Sequence, residues 1–347
     1  MKIAVAQLNF HVGNFESNTQ KIINKIQDAK NEGVDLIVFS ELAVCGYPPR
    51  DFLEFNDFIN SCLASVDEIA SHTRGISVIV GAPSRNETGQ GKPLFNSAFI
   101  LSEGKVQKHI HKTLLPTYDI FDEYRYFEPN REFEVVEIKG VQVGIAICED
   151  LWNVGNNPLY TQTPALALKD KGAKLIVNIA ASPFSYQQDV ERKGVLRENA
   201  QKTGLPIVYC NHVGAQTELI FDGGSFFMNK NGEVASQEVF FEESLIINEL
   251  QIPSGEFKSG SIQSANKIQL IHDGLLLGIR DYFKNGDQQG QGVNIHYIHE
   301  EVPLGTAGSL GLLPDNLPDL PIVVMNGDLL TKVDFRNLLD FHNNNRH

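Results

Sequence analysis

Cys148 closes an apolar run, VGIAICEDLW, immediately before two acidic residues and a turn. A thiol there is either a small buried hydrophobe, the ordinary role of a free cysteine, or a nucleophile. Strand ends favour the second role, because the turn presents a side chain and free backbone N–H groups together. Cys45, Cys62 and Cys210 have no such setting and read as core. Glu41 ends another apolar run, DLIVFSEL. A carboxylate at that point is solvated, paired, or held in a pocket that raises its pKa, and only the last makes a general base. Lys112 follows the alternating segment KVQKHIHK and precedes TLLPTY, as either a solvated lysine or a fixed cation. Together, a thiol, a carboxylate to take its proton and an ammonium to hold an oxyanion suit covalent acyl transfer with no histidine base. Spacing along the chain does not show that the three meet.

The elements that must position them alternate between strand and helix. Residues 2–10 are rich in Val, Ile and Ala, as a buried strand is. Ser17–Gly33 switches to a helical period with Ile22, Ile23, Ile26 and Ala29 on one side, with Ser17 and Gln20 as a capping box and Gly33 as the stop. A strand over Asp35–Leu42 and a helix over Asp57–Ser71 follow. Hairpins are then expected, reversing at Glu103-Gly104, Lys139-Gly140 and Asn231-Gly232. Helices over Pro164–Gly172 and Gln188–Gly204 separate further strands at 173–182 and 205–214. The expected class is layered α/β, with residues 1–250 as one continuous domain. Residues 251–285 read as a polar connecting arm followed by a helix. Residues 286–347 open within the flexible NGDQQGQG, which starts at residue 285, and end in a fragment of about 55 residues, a small core to stand alone.

The chain has 347 residues, a prior of about two domains, and 29 Lys plus Arg against 43 Asp plus Glu give a net charge of −14. That balance disfavours nucleic acid as a partner. No apolar run approaches the roughly 18 residues of a membrane span, so no membrane partner is expected. MKIAVAQLNF enters strand alternation directly, with no export signal visible. The four cysteines form neither a disulfide framework nor CxxC pairs, which fits a reduced cytoplasmic setting.

FSELAVCGYPPRD, HKTLLPTYDIFDEYRYFEP, ICEDLW, ASPF and NHVGAQTELIFDGGS, in that order, closely resemble the nitrilase (carbon-nitrogen hydrolase) superfamily. Within it they resemble the glutaminase domain of glutamine-dependent NAD+ synthetases, over roughly residues 1–285. The resemblance implies a four-layer αββα sandwich and a Glu-Lys-Cys triad at Glu41, Lys112 and Cys148. It also implies attack of the thiolate on the glutamine side-chain amide, an oxyanion held by Lys112 and the Glu149 N–H, release of ammonia, and thioester hydrolysis. Tyr47, Tyr118, Glu123 and Ser182 fall in the glutamine pocket, with Glu123 expected on the substrate's ammonium group and Trp152 as an aromatic wall. Each has an ordinary alternative as a packing residue, surface charge or turn hydroxyl. Gln188 stands where close relatives often carry Lys or Arg. Asp222 is either an outlet residue or an acid beside a turn. A homo-oligomer is implied, glutamine is the implied substrate, and the glutaminase step needs no cofactor and no metal.

IHDGLLLGIRDYFKN resembles the first helix of the synthetase domain, but the expected strand and SGGxDS loop do not follow it. The ATP- and Mg2+-dependent half is therefore expected to be missing. The remaining segment carries GTAG and MNGD in the order of a sugar-nucleotide transferase (nucleotidyltransferase), with Gly305–Gly308 near the base and Asp328 as a metal ligand or a vestigial strand-end acid. Three other functions stay open: an amidase or nitrilase for another small amide, an inactive scaffold, and a nucleotidyltransferase.

Overall fold

The switching periods of the sequence become two stacked sheets between helices. The computed structural model describes residues 1–155, 159–263, 266–286, 308–313 and 339. In chain order the first half comprises β1 (Lys2–Gln7), α1 (Phe15–Asn31), β2 (Leu36–Val38), α2 (Asn56–Ser71), β3 (Ser77–Arg85), β4 (Leu94–Ser102) and β5 (Lys105–His111). β6 (Val135–Ile138), β7 (Val141–Ile147), α3 (Pro164–Asp170), β8 (Leu175–Ala180), α4 (Gln188–Thr203) and β9 (Ile207–Asn211) follow. The rest is the hairpin β10 (Val213–Gln216) and β11 (Leu219–Asp222), then β12 (Phe226–Met228), β13 (Val234–Gln237), β14 (Ser244–Gln251), β15 (Glu256–Phe257) and α5 (Lys267–Gly286).

One sheet runs β15-β14-β1-β2-β3-β4-β5 and the other β13-β12-β9-β8-β7-β6. β1, β2 and β3 are parallel, as are β7, β8 and β9. Strand alternation separates the two faces of β1. Ile3 and Val5 join Leu36, Val38 and Ile79 in a core shared with the second sheet, whereas Ala4 and Ala6 pack with Ile22, Ile26 and Val66 of α1 and α2. Ala165, Leu168, Leu196 and Ala200 cover the second sheet with α3 and α4, completing the αββα order. Burial of such side chains is worth about 1.5–3 kcal/mol each, which holds the two sheets face to face.

α1 starts earlier than the expected capping box. The Asn14 side chain accepts the Ser17 N–H at 3.2 Å, so an Asn cap satisfies the first turn in place of Ser17 and Gln20. The chain divides into compact units at residues 1–292 and 293–347, so the first runs past the expected end at residue 250. The cause is tertiary. β15 pairs with β14, Leu270 and Leu277 of α5 pack with Val213 and Phe241, and Asp281 accepts from Asn9 Nδ2 (2.7 Å) and the Ala215 N–H (2.8 Å).

Apart from a 3-10 turn at Gly308–Leu312, Leu313 and Leu339, the elements expected beyond residue 287 lie outside the described residues. Gly305 and Asp328 are among them. Among the described residues no helix is long and apolar enough to cross a membrane, and no group of three or more His, Cys, Asp or Glu could hold a metal ion.

Candidate active site

Parallel strands deliver their carboxyl ends to one edge of each sheet, where loops carry side chains and unpaired backbone groups. Glu41 follows β2, Cys148 follows β7, and Ala181 and Ser182 follow β8. Lys112 follows β5 and Glu123 opens a 3-10 turn, Glu123–Arg125. Cys148 sits at φ 43°, a left-handed conformation that costs a non-glycine residue about 1–3 kcal/mol and bends the chain sharply out of the strand. Gly81 makes room for the Glu41 loop. A Cβ there would lie 2.6 Å from Ser40 O and 2.8 Å from the Glu41 carbonyl carbon.

Lys112 and Glu41, each 1% exposed, are joined by a 2.7 Å ion pair between Nζ and Oε1. Asn96 Nδ2 donates to the same oxygen at 2.8 Å, and the Ala181 N–H donates to Oε2 at 3.0 Å. Three donors thus converge on Glu41, whose two oxygens act here as acceptors. Lys112 Nζ also donates to Glu123 at 2.9 and 2.8 Å. Burial alone would lower the Lys112 pKa, but Glu123 and Glu41 outweigh it and hold the ammonium well above its usual range. Burial pushes Glu123 up to about 7, against the pull of Lys112.

The Glu123 carboxylate is engaged by Lys112 and also accepts Tyr47 OH at 3.0 Å. Tyr47 is correspondingly buried, its ring edge-on to Phe221 at 6.0 Å.

Burial raises the Cys148 thiol well above its ordinary pKa; Glu41 adds to this and Lys112 opposes it. The resting sulfur is a protonated thiol with a carboxylate and an ammonium in its field. Asp150, two residues on, ties the turn to the lysine loop. Its Oδ2 accepts the Ile147 N–H (2.9 Å), and its Oδ1 accepts those of Thr113 (2.9 Å) and Leu114 (2.8 Å).

A second group borders the nucleophile. Tyr118, half-exposed, donates its hydroxyl to Glu149 at 2.9 Å from each carboxylate oxygen, and Tyr160 OH reaches Oε1 at 3.1 Å. Trp152 ends the turn, half-buried, its backbone N–H on Glu149 O at 2.8 Å. In a third group Ser182 Oγ lies 3.3 Å from Gln188 Nε2 and 3.4 Å from Arg192, and the Ser182 N–H donates to Asn211 (2.9 Å). Asp222 is the counter-ion of the fully buried Arg192 at 2.9 Å.

Thus Glu41, Lys112 and Glu123 are in direct contact, with Cys148 in their field. Asn96, Asp150, Tyr160 and Arg192 were missed. Asn96 could have been marked as a polar residue inside the largely apolar, buried strand β4, but no local pattern marks the other three.

A carbon-nitrogen hydrolase family model matches residues 2–256, and a nucleotidyl transferase model matches residues 266–347, reaching back over α5. The chain is 36% identical to a glutamine-dependent NAD(+) synthetase of Synechocystis sp., over 81% of this chain and 52% of that protein. It is 37% identical to another from Thermotoga maritima, over 73% and 42%. It thus spans about half the length of the curated relatives it matches. A solved glutamine-dependent NAD+ synthetase from Acinetobacter baumannii, in complex with ADP, superposes with TM-score 0.75 and 35% identity, covering 82% of this chain and 52% of that one. An amidase from Nesterenkonia sp. shares the fold with TM-score 0.62 at 22% identity, over 72% of this chain and 93% of that one. The expectation that the synthetase half is missing is not supported, since the nucleotidyl transferase match occupies the C-terminal segment. The first match runs from the opening strand into β15 and encloses the residues of the candidate site. The chain is an enzyme with a carbon-nitrogen hydrolase part and belongs to the carbon-nitrogen hydrolase family.

Proposed function

We propose that this chain hydrolyses the side-chain amide of glutamine to glutamate and ammonia through a thioester on Cys148. The observation that carries this reading is the buried Lys112 ammonium between Glu41 and Glu123, in the field of the thiol. Glu41 takes the Cys148 proton, and the thiolate attacks the amide carbon. Lys112 donates to Glu41 and to both oxygens of Glu123, so the donor that serves the developing oxyanion is one that turns away from Glu123, joined by the Glu149 N–H. Glu41 then returns the proton to the leaving nitrogen, the C–N bond breaks and ammonia departs. Water, deprotonated by Glu41, cleaves the thioester and restores the thiol.

Since Glu123 is committed to Lys112, Glu149 is the acid that would receive the substrate ammonium, with Trp152 and Tyr118 flanking it. Ser182 and Gln188 would face the substrate carboxylate. Lys112 and Arg192 are both paired with carboxylates, and Gln188 brings no charge. That observation supports a second reading, an amide bearing an ammonium but no carboxylate. ATP and Mg2+ enter no step of this scheme. Similarity to NAD(+) synthetases supports an ATP-dependent amidation as the consumer of the ammonia. Four buried, unpaired cysteines favour a reducing, cytoplasmic setting. The exposed stripe Ile268, Ile271, Leu275, Ile279 and Tyr282 on α5 favours a homo-oligomer.

Ammonia release from glutamine by the purified chain, beside Cys148→Ala, is the test. Release abolished in the variant supports the assignment, and equal release from both ends it. A panel of neutral, cationic and zwitterionic amides separates the two substrate readings.

A further inference from the structure

Asn153 lies five residues beyond Cys148 and is buried. Among the described residues its side-chain hydrogen bonds go to one short segment. Its Oδ1 accepts the Tyr160 N–H at 3.1 Å, and its Nδ2 donates to Tyr160 O at 2.9 Å and Gln162 O at 2.6 Å. A side-chain amide that fixes both backbone groups of one residue fixes that residue's direction as well. The direction is toward the nucleophile, because Tyr160 OH ends 3.1 Å from Glu149 Oε1. Tyr118 approaches the same carboxylate from a different loop.

We propose that Tyr160, oriented by Asn153, is a positioning residue for the Glu149 carboxylate and thereby sets the preference of the site for amides that carry an ammonium group. Two phenolic hydrogens meet about four lone-pair positions, so the carboxylate is anchored while a face stays open to a cationic N–H. The anchor has to work against desolvation. Burial raises the Glu149 pKa, while Lys112 and the two hydroxyls oppose that rise, keeping the charge available. Without the Tyr160 hydroxyl, Glu149 keeps Tyr118, which reaches both oxygens, but loses its second donor. The proposal rests on the reading of Glu149 as the ammonium-binding acid.

Tyr160→Phe should raise KM for glutamine about 3- to 10-fold with kcat within about twofold, and leave kcat/KM for propionamide unchanged. Asn153→Ala should move the same parameters further in the same direction. The companion readout needs no turnover: the rate of Cys148 modification by 2-aminoethyl methanethiosulfonate, which carries an ammonium, divided by that for neutral methyl methanethiosulfonate. This ratio should fall at least threefold in Tyr160→Phe. If the intact chain does not hydrolyse glutamine, the functional reading fails and the reagent ratio still decides the role of Tyr160. An unchanged ratio overturns the proposal, as does an equal loss toward glutamine and propionamide, which would mark Tyr160 as merely structural. Because Tyr160→Phe removes one oxygen from a half-exposed side chain, its folding is checked by an unchanged circular dichroism melt.

Discussion

Asp150→Asn separates positioning from stability. Asp150 is buried and accepts three backbone N–H groups, one from the strand that carries Cys148 and two from the residues just after Lys112. Asparagine keeps an oxygen for Thr113 and Leu114 but turns an amide N–H2 toward the Ile147 N–H, setting donor against donor. Losing that charged hydrogen bond costs about 1.5–3 kcal/mol. The opposing effect is of similar size. Burial, against the pull of those N–H groups, pushes Asp150 from 3.8 up to about 6, and removing the charge at neutral pH recovers about 3 kcal/mol. Net stability at pH 7 should therefore stay within about 2 kcal/mol of the parent. Activity should not, because misplacing the ammonium by about 1 Å from the reacting carbon costs up to ~100-fold in kcat. The pH dependence gives a further sign. A carboxyl whose folded pKa exceeds its unfolded value stabilises the fold most below the unfolded pKa, and that contribution is lost as pH rises through the folded pKa. Urea midpoints of the parent should thus fall, relative to Asp150→Asn, between pH 3.8 and about 6. Ammonia release at pH 7.5 with urea unfolding at pH 4 and 7 tests both parts. A variant with parental kcat, or with activity lost only in proportion to the unfolded fraction, would refute the argument.

Lys112→Met leaves two buried carboxylates without their cation, so unfolding by urea should show a loss of about 3–5 kcal/mol, and unaltered stability would contradict the ion-pair geometry. Gly81→Ala places a methyl against the Ser40 and Glu41 backbone, so it should cost about 2–4 kcal/mol and lower kcat at least tenfold, read by melting and ammonia release. His212 is buried with Phe221 at 4.7 Å and Phe10 at 6.0 Å, neither ring nitrogen has a hydrogen-bond partner among the described residues, and burial lowers its pKa to about 3. The fold therefore excludes a proton that the unfolded chain takes up below pH 6.5, so stability drops as pH falls. His212→Phe should remove about 2 kcal/mol of that loss between pH 7 and 5, and identical acid sensitivity in both proteins would exclude it.

Much of the architecture is legible in local patterns. Ile22, Ile26 and Ala29 mark the buried side of α1, and the turn residues Glu103-Gly104 and Lys139-Gly140 fall between β4 and β5 and between β6 and β7. These features depend on neighbours a few residues away, which a sequence displays directly. The end of the first unit was less visible, since the polar stretch after Leu250 looks like a boundary until β15 pairs and α5 docks.

By itself the sequence determined which groups with useful chemistry stand at strand ends: the thiol of Cys148, the acid of Glu41 and the amine of Lys112. The tertiary structure decided what each one meets. Glu41 joins Lys112 across 71 residues and Ala181 across 140, Glu123 meets Lys112, and Asp222 pairs with Arg192. The physical reason is that hydrophobic periodicity encodes which face of an element leaves water. A buried polar group instead takes whichever partner folding brings within about 3 Å, and no period in the chain records that choice.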